Sequence, residues 1–450
     1  MKKYLAFADE EFDGQFGRTL QAAAIGAADL GEAFATARDI GDKYDTQRWY
    51  DQWLARAESV RDAAERAYVG GHLVTAHESY LRASEYYRQA YFYLRTDLDD
   101  QRLQDAYQAH CRTFRHAMEL LPRTSSPIVA EEVTIPVTAD SLAGPAPVGP
   151  APVTADTADM AAPTESAATT ETTTTGTPHP TAIHAWLFRP DSNTDRARPT
   201  IVMPCGYDST AESGWGFAQG ALARGFNVLS VEGPGQGASL IVDRIYFRRD
   251  YEVVLSQILD WLESAPGVDG ARLVAMGRSF AGYLVPRGVA VDHRVAAMVC
   301  DPAQPDMGAK IPGGWKGRIA APLMTALSKI SRERDDFFRA RMACHGVDTI
   351  ADYFAELATF TFTDIAADIA CPTLIVESPG DPVGGQGQTL FDALTVETKR
   401  LITPDPDSGI SGHCGGVGQR VWDAVVYDWL EDTLARITDP TVPAREPATK

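Results

Sequence analysis

Long apolar runs are absent from this sequence: no segment offers the roughly 20 consecutive apolar residues that a membrane-crossing helix needs. The opening segment from Met1 to Glu10 carries two lysines, but its apolar stretch stops after five residues at Asp9. No secretory signal peptide is expected from so short a core. Cysteine is sparse, with six residues scattered at 111, 205, 300, 344, 371 and 414 and no C-x-x-C spacing. That excludes a disulfide framework or a cysteine-ligated zinc site, and the thiols read as reduced, buried small hydrophobes of a cytoplasmic protein. Positive charge is also in deficit: 41 Lys and Arg face 61 Asp and Glu, a net charge of −20. A field of that sign repels phosphate backbones, so neither a nucleic acid nor a membrane is an expected partner. The expected partner is a small-molecule substrate, with at most a second copy of the chain in a homodimer.

What is present is a long, core-forming chain. Its 450 residues, 44% of them hydrophobic, suggest two or three domains with ample chain to bury a core. The most informative stretch is Ala275-Met-Gly-Arg-Ser-Phe-Ala-Gly282, which follows the apolar run Leu273–Met276 and precedes a helix-compatible segment. A serine on a sharp strand-to-helix turn is held out of the sheet with its hydroxyl exposed and the next N–H free to donate. Ser279 is therefore the candidate nucleophile. The last small residue of the G-x-S-x-G pattern is Ala281, with Gly282 one step later.

Two further elements follow in order. Cys371-Pro-Thr-Leu-Ile-Val-Glu377 reads as a buried parallel strand, and Asp381 sits on the turn after it. Downstream, Gly412-His413-Cys414-Gly415 is a glycine-flanked loop ahead of an amphipathic stretch from Val421 to Leu434. The chain order serine, acid, histidine is that of the α/β-hydrolase triad. His413 would act as general base, and Asp381 would set its tautomer and stabilise the imidazolium. Asp301, at the end of the run Val295–Cys300, is the competing acid. Cys205 and Cys414 fall in the loops of the same site, but neither occupies an elbow. The oxyanion donors expected are the N–H groups of Phe280 and of Tyr207, the latter in the loop Pro204–Glu212 after the strand Thr200–Met203.

Three motifs together, Cys205-Gly-Tyr-Asp-Ser-Thr-Ala-Glu212, Glu232-Gly-Pro-Gly-Gln-Gly-Ala-Ser239 and Gly277-Arg-Ser-Phe-Ala-Gly-Tyr-Leu-Val-Pro-Arg287, resemble the FrsA-like esterases. That group is similar to dihydroxypseudooxynicotine hydrolase and to fungal hydrolases that shorten polyketides. The resemblance spans nearly the whole chain. It implies an α/β-hydrolase core, a mostly parallel eight-stranded sheet with helices on both faces, under an N-terminal all-helical cap. It also implies no metal, no organic cofactor, and hydrolysis of an ester or of a C–C bond beside a ketone. The family's nucleophile, acid and histidine map onto Ser279, Asp381 and His413.

Domain boundaries follow from composition. Residues 1–125 are expected to form the helical cap, with one helix carrying Trp53, Ala57, Val60 and Ala64 at helical spacing, a break at Gly70-Gly71, and a second helix from Leu73 to Leu94. The pair also resembles a tetratricopeptide hairpin, but too few copies fit for a solenoid. Residues 126–440 are expected to be the catalytic domain. Within it, 139–182 is a Thr-, Ala- and Pro-rich insertion predicted to be disordered, between the strand-like runs 132–137 and 183–188. Growing a hairpin loop from about 5 to about 44 residues costs only about 2 kcal/mol, so the insertion is tolerable there. Residues 303–369 are expected to form a lid with amphipathic helices near Leu323–Met342 and Thr349–Leu357, and 441–450 a flexible tail. Substrate contacts are expected from Tyr86, Tyr87 and Tyr91 of the cap, Asp208 of the oxyanion loop, and Trp315 of the lid. Non-catalytic binding on a retained hydrolase fold, a serine peptidase and an acyltransferase are the alternative readings.

Overall fold

The computed structural model describes residues 5–143, 182–311 and 314–439. Most of the expected disordered insertion, from 144 to 181, lies outside this set, as does the expected tail; the ends of the insertion are instead ordered, Ala139–Ala143 as a short helix and Ala182 in a strand.

Five helices come first: α1 Glu10–Ala23, α2 Leu30–Ile40, α3 Thr46–Val69, α4 Leu73–Tyr91 and α5 Gln101–Leu120. Four of them start at an aspartate, Asp9, Asp29, Asp45 and Asp100, whose carboxylate accepts a first-turn backbone N–H that the helix leaves unpaired. The break between α3 and α4 falls where the sequence places it, because Gly71 adopts φ +77°, a left-handed conformation that costs glycine little. Phe12, Phe16, Trp49, Trp53 and Tyr86 are buried together between these helices.

The three cap tyrosines expected at the mouth of the site belong to this interior. Helix α4 packs between α3 and α5, and every residue from Ala83 to Arg95 is buried. Tyr86 donates its hydroxyl to Glu32 (2.7 Å) and accepts from the Asp29 N–H (2.9 Å). The Tyr87 hydroxyl accepts from Arg61 (3.0 Å), and the Tyr91 ring meets Tyr107 and His110 edge-on. Their spacing thus reflects helix packing. Tyr86→Phe is expected to cost about 1–3 kcal/mol in urea unfolding, by leaving Glu32 and the Asp29 N–H short of a partner, while kcat stays unchanged.

The sheet has eight strands: β1 Val129–Pro136, β2 Ala182–Arg189, β3 Arg198–Pro204, β4 Asn227–Val231, β5 Val268–Arg278, β6 Ala297–Asp301, β7 Thr373–Val376 and β8 Lys399–Ile402. Their order across the sheet is β1-β2-β4-β3-β5-β6-β7-β8; β2 is antiparallel to both β1 and β4, and the other pairs are parallel. The apolar runs are explained by burial on both faces, as parallel sheets require. Along β5, Leu273 and Ala275 face one core, while Val274 and Met276 face the other; β6 splits Met298 and Cys300 from Ala297 and Val299 in the same way. Ten further α-helices lie among the described residues: α6 Ala139–Ala143, α7 Gly214–Leu222, α8 Gly237–Ile241, α9 Glu252–Ser264, α10 Ala281–Val289, α11 Gly314–Ser328, α12 Arg332–His345, α13 Ile350–Leu357, α14 Gly387–Ala393 and α15 Gln419–Thr438.

The lid differs from its expected outline. The periodic stretch Leu323–Met342 is divided between α11 and α12, because Ser331 takes an extended conformation and caps α12 by accepting the Arg334 N–H. Helix α12 then reaches back to the cap, where the Tyr44 hydroxyl donates to Asp336 (3.2 Å) and Arg332 donates to Thr46 (3.2 Å). Cap and lid therefore meet above the carboxyl ends of the strands.

Candidate active site

Strand β5 ends at Arg278, and the chain turns abruptly into α10 through Ser279, which holds φ +58° although it is not glycine. That conformation is sparsely populated for an L residue and persists only where neighbours enforce it. Two neighbours do so here. The Ser279 N–H donates to the Asp301 carbonyl at the end of β6 (2.8 Å). Gly277 and Gly282 let backbone come close: an added Cβ would lie 2.2 Å from the Ala281 carbonyl oxygen at 277 and 1.9 Å from that of Pro302 at 282. The second small residue of the elbow is thus Gly282, required by the approach of α10 to the chain after β6.

Asp381 lies on the turn after β7, and His413 on the loop between β8 and α15. Their side chains meet: His413 Nδ1 is 2.9 and 3.1 Å from the two Asp381 oxygens, and His413 Nε2 is 2.9 Å from Ser279 Oγ. Asp381 also accepts the N–H groups of Cys414 (3.0 Å) and Val383 (2.9 Å). Burial opposes its charge, but the His413 hydrogen bond and these two N–H groups hold its carboxyl below the usual carboxylate range. An anionic Asp381 fixes the proton of the imidazole on Nδ1 and leaves Nε2 to accept from Ser279. Asp301, the competing acid, does not contact the imidazole. Its carboxylate is fully buried, 3.7 Å from Arg278, and burial raises it to about 6 against the opposing pull of that arginine.

Burial also opposes the imidazolium of His413, but Cys414 and Asp381 beside it outweigh burial and raise the group above histidine's ordinary value of 6.5. A general base must be neutral, so activity carried by His413 is lost as pH falls through that raised value. We expect kcat/KM to rise with pH to a plateau with a midpoint above pH 6.5; a midpoint at or below the ordinary value in an initial-rate pH series would contradict the geometry.

Gly206 brings the loop after β3 against Ser279: a Cβ there would stand 3.0 Å from Ser279 Cβ. Among the described residues, neither the Phe280 N–H nor the Tyr207 N–H has an acceptor, while the Gly206 N–H is held by Ser209 Oγ (2.9 Å). The Tyr207 and Phe280 rings pack together with centroids 4.2 Å apart, and the Tyr207 hydroxyl pairs with buried His345 on α12. Asp208, expected to touch substrate, lines the same cavity as Ser279 and is engaged by Arg95 (2.7 Å), Arg341 (3.0 Å) and Arg18 (3.5 Å). Despite burial, these cations hold it well below the ordinary carboxylate range. Its charge is spent joining the oxyanion loop to the elements above it. Trp315 lies in the first turn of α11, and its side chain is outside the described residues.

Ser279, His413 and Cys414 open on a cavity of about 190 Å³ between the helical region and the sheet. Its apolar wall includes Ile25, Leu81, Phe114, Met203, Trp215 and Phe217. These residues, like Arg278 beside the nucleophile, escaped the sequence reading, since nothing in their spacing marks them as neighbours. The Cys414 sulfur lies 3.7 and 3.9 Å from the two imidazole nitrogens and donates to the Asp301 carbonyl, whereas Ser279 Oγ stands nearer, 2.9 Å from Nε2. Cys205 is buried, which raises its thiol well above the ordinary value. Asp381, His413 and Cys414 are the one group of described residues placed to share a metal; Asp381 and His413 hydrogen-bond each other, and the Cys414 sulfur donates to the Asp301 carbonyl. No described helix is long and apolar enough to cross a membrane.

This sheet order, elbow and residue constellation define an α/β hydrolase. Its relatives by sequence are named hydrolases. The hydrolase acrC of Aspergillus aculeatus is 32% identical over 296 residues, 64% of this chain and 61% of its own length. Two matches run nearly end to end at 29% identity: the hydrolase LUC6 of Fusarium sp, covering 94% of this chain and 96% of the relative, and the 20-hydroxy-prefusarin hydrolase FUS2 of Gibberella moniliformis, covering 95% and 98%. Among solved structures, 2,6-dihydroxy-pseudo-oxynicotine hydrolase superposes with a TM-score of 0.67 at 18% identity, over 97% of this chain and all of that one. That likeness extends the shared fold through the N-terminal helices. No family model matches the sequence.

Proposed function

We propose that this chain is a cofactor-independent serine hydrolase that cleaves an ester, a lactone or a ketone-activated C–C bond in a small aromatic or polyketide-like molecule. The observation that carries the reading is the unbroken line of contacts from Asp381 through His413 to Ser279 Oγ, at 2.9 Å on each side of the imidazole, opening on an apolar-walled cavity. Ser279 Oγ adds to the substrate carbonyl as His413 Nε2 takes its proton. The charge on the carbonyl oxygen develops toward the free N–H groups of Phe280 and Tyr207. The tetrahedral species then collapses, the imidazolium returns its proton to the leaving alkoxide or enolate carbon, and water releases the acyl group from Ser279 by the same sequence in reverse. Either leaving group needs the same base and the same donors. Six unpaired cysteines suit a reducing, cytoplasmic setting.

The test is a panel of aryl esters, lactones and β-diketones incubated in heavy-oxygen water and read by mass spectrometry. One heavy oxygen should enter the acid product with the native protein and none with Ser279→Ala. A folded protein that turns over no member of the panel, yet binds one of them, would favour a non-catalytic binding role.

A further inference from the structure

Arg278 stands between Gly277 and the nucleophile, yet its side chain is only 6% exposed. Its guanidinium lies between the rings of Phe217 on α7 and Trp422 on α15, 4.2 Å from each centroid. One nitrogen donates to Gln419 Oε1 (3.0 Å), and another donates to the carbonyl of Cys414 (2.5 Å). The same nitrogen is 3.7 Å from Asp301. A buried cation with its nearest carboxylate at that distance depends on carbonyls and ring faces for what water would supply.

The carbonyl it holds is the significant partner. Cys414 follows His413 directly and sits at φ +49°, a conformation that residues other than glycine seldom keep without ties on both sides. One tie is the Cys414 N–H to Asp381, and the other is the Cys414 carbonyl to Arg278. The peptide units flanking this residue are therefore gripped by the triad acid on one side and by the residue before the nucleophile on the other. Gln419 Oε1 accepts also from Gln21 on α1 (2.8 Å), so the N-terminal helices reach the histidine loop through three successive hydrogen bonds.

We propose that Arg278 is a positioning residue for the reaction: it acts through His413 by fixing the Cys414 carbonyl, and Gln21 of the cap supports it by way of Gln419. The inference rests on the triad reading above. Arginine suits the place because a flat guanidinium can stack on two rings while donating in its own plane in two directions, which an ammonium cannot do.

Arg278→Met and Arg278→Lys, made in the full chain, test it by three readouts: the rate at which a fluorophosphonate labels Ser279, the kinetics of p-nitrophenyl acetate hydrolysis across pH, and circular dichroism. With the fold intact, Arg278→Met should lose about 10- to 100-fold in labelling rate and kcat, the scale of a small misplacement of reacting groups, with little change in KM. The acid limb of its pH profile should move to lower pH, as His413 spends less time against Asp381. Arg278→Lys should fall between the two, and added guanidinium should restore part of the activity of Arg278→Ala where equal sodium chloride does not. A folded Arg278→Met with native labelling rate and native pH profile would overturn the proposal. If that variant does not fold, Arg278→Lys with native kcat and native acid limb would overturn it instead. Failure of the native protein both to label and to turn over the ester would strike the proposed function itself.

Discussion

Replacing Ser279 with alanine is expected to lower kcat for p-nitrophenyl acetate by about 10⁴-fold or more, while the circular dichroism spectrum and the urea midpoint stay near those of the native protein. The size of the loss follows from the cooperation of the site. His413 and Asp381 have no task without the hydroxyl between Nε2 and the substrate, so one atom removes the contribution of all three. The fold should tolerate the change, because what holds the elbow is backbone: the Ser279 N–H to Asp301 and the close approaches at Gly277 and Gly282. Alanine at φ +58° keeps the strain that serine already bears. Activity retained within about tenfold would remove Ser279 from the chemistry.

Asp381→Asn is expected to cost about 10⁴-fold in kcat, and Asp301→Asn far less. The argument is about protons. An asparagine that presents its NH₂ to Nδ1 favours the tautomer with the proton on Nε2, facing Ser279, where a base must have a lone pair. Asp301 touches neither ring nitrogen, and its carboxylate faces Arg278. Its replacement should therefore appear mainly as altered stability, through an arginine left without its nearest counter-charge. Comparing the two variants on one ester under saturating conditions decides between the acids; a larger loss at 301 would reassign the role.

Much of the catalytic centre was legible because its cues are local. Gly277, Ser279 and Gly282 lie within six residues, and the runs Leu273–Met276 and Leu374–Val376 ahead of Ser279 and Asp381 are apolar on every residue because sheet core lies on both sides of them. The order of serine, acid and histidine added a constraint that chance seldom meets. Other expectations turned on side-chain direction, which periodicity does not carry. Tyr87 and Tyr91 recur at the i, i+4 spacing of one helical face, and that spacing is equally that of residues packed against a neighbouring helix; Tyr86, one residue off that row, is buried in the same way. Asp208 lies in the expected loop and lines the cavity, and the sequence carries no sign that arginines 18, 95 and 341 converge on it. Ser331 interrupts a stretch whose pattern reads as one helix.

The sequence by itself determined the order of the strands and helices around the candidate site, the strand-to-helix turn at Ser279, the candidate histidine and the class of chemistry they suit, since each depends on residues adjacent in the chain or on the order of a few such clusters. Only the tertiary structure decided which acid meets His413, which residues wall the cavity, and that Arg278 grips the histidine loop. Those are contacts between residues 32 to 141 positions apart, and which of the many conceivable pairs forms is settled by the folded path of the backbone, for which no single segment carries a signal.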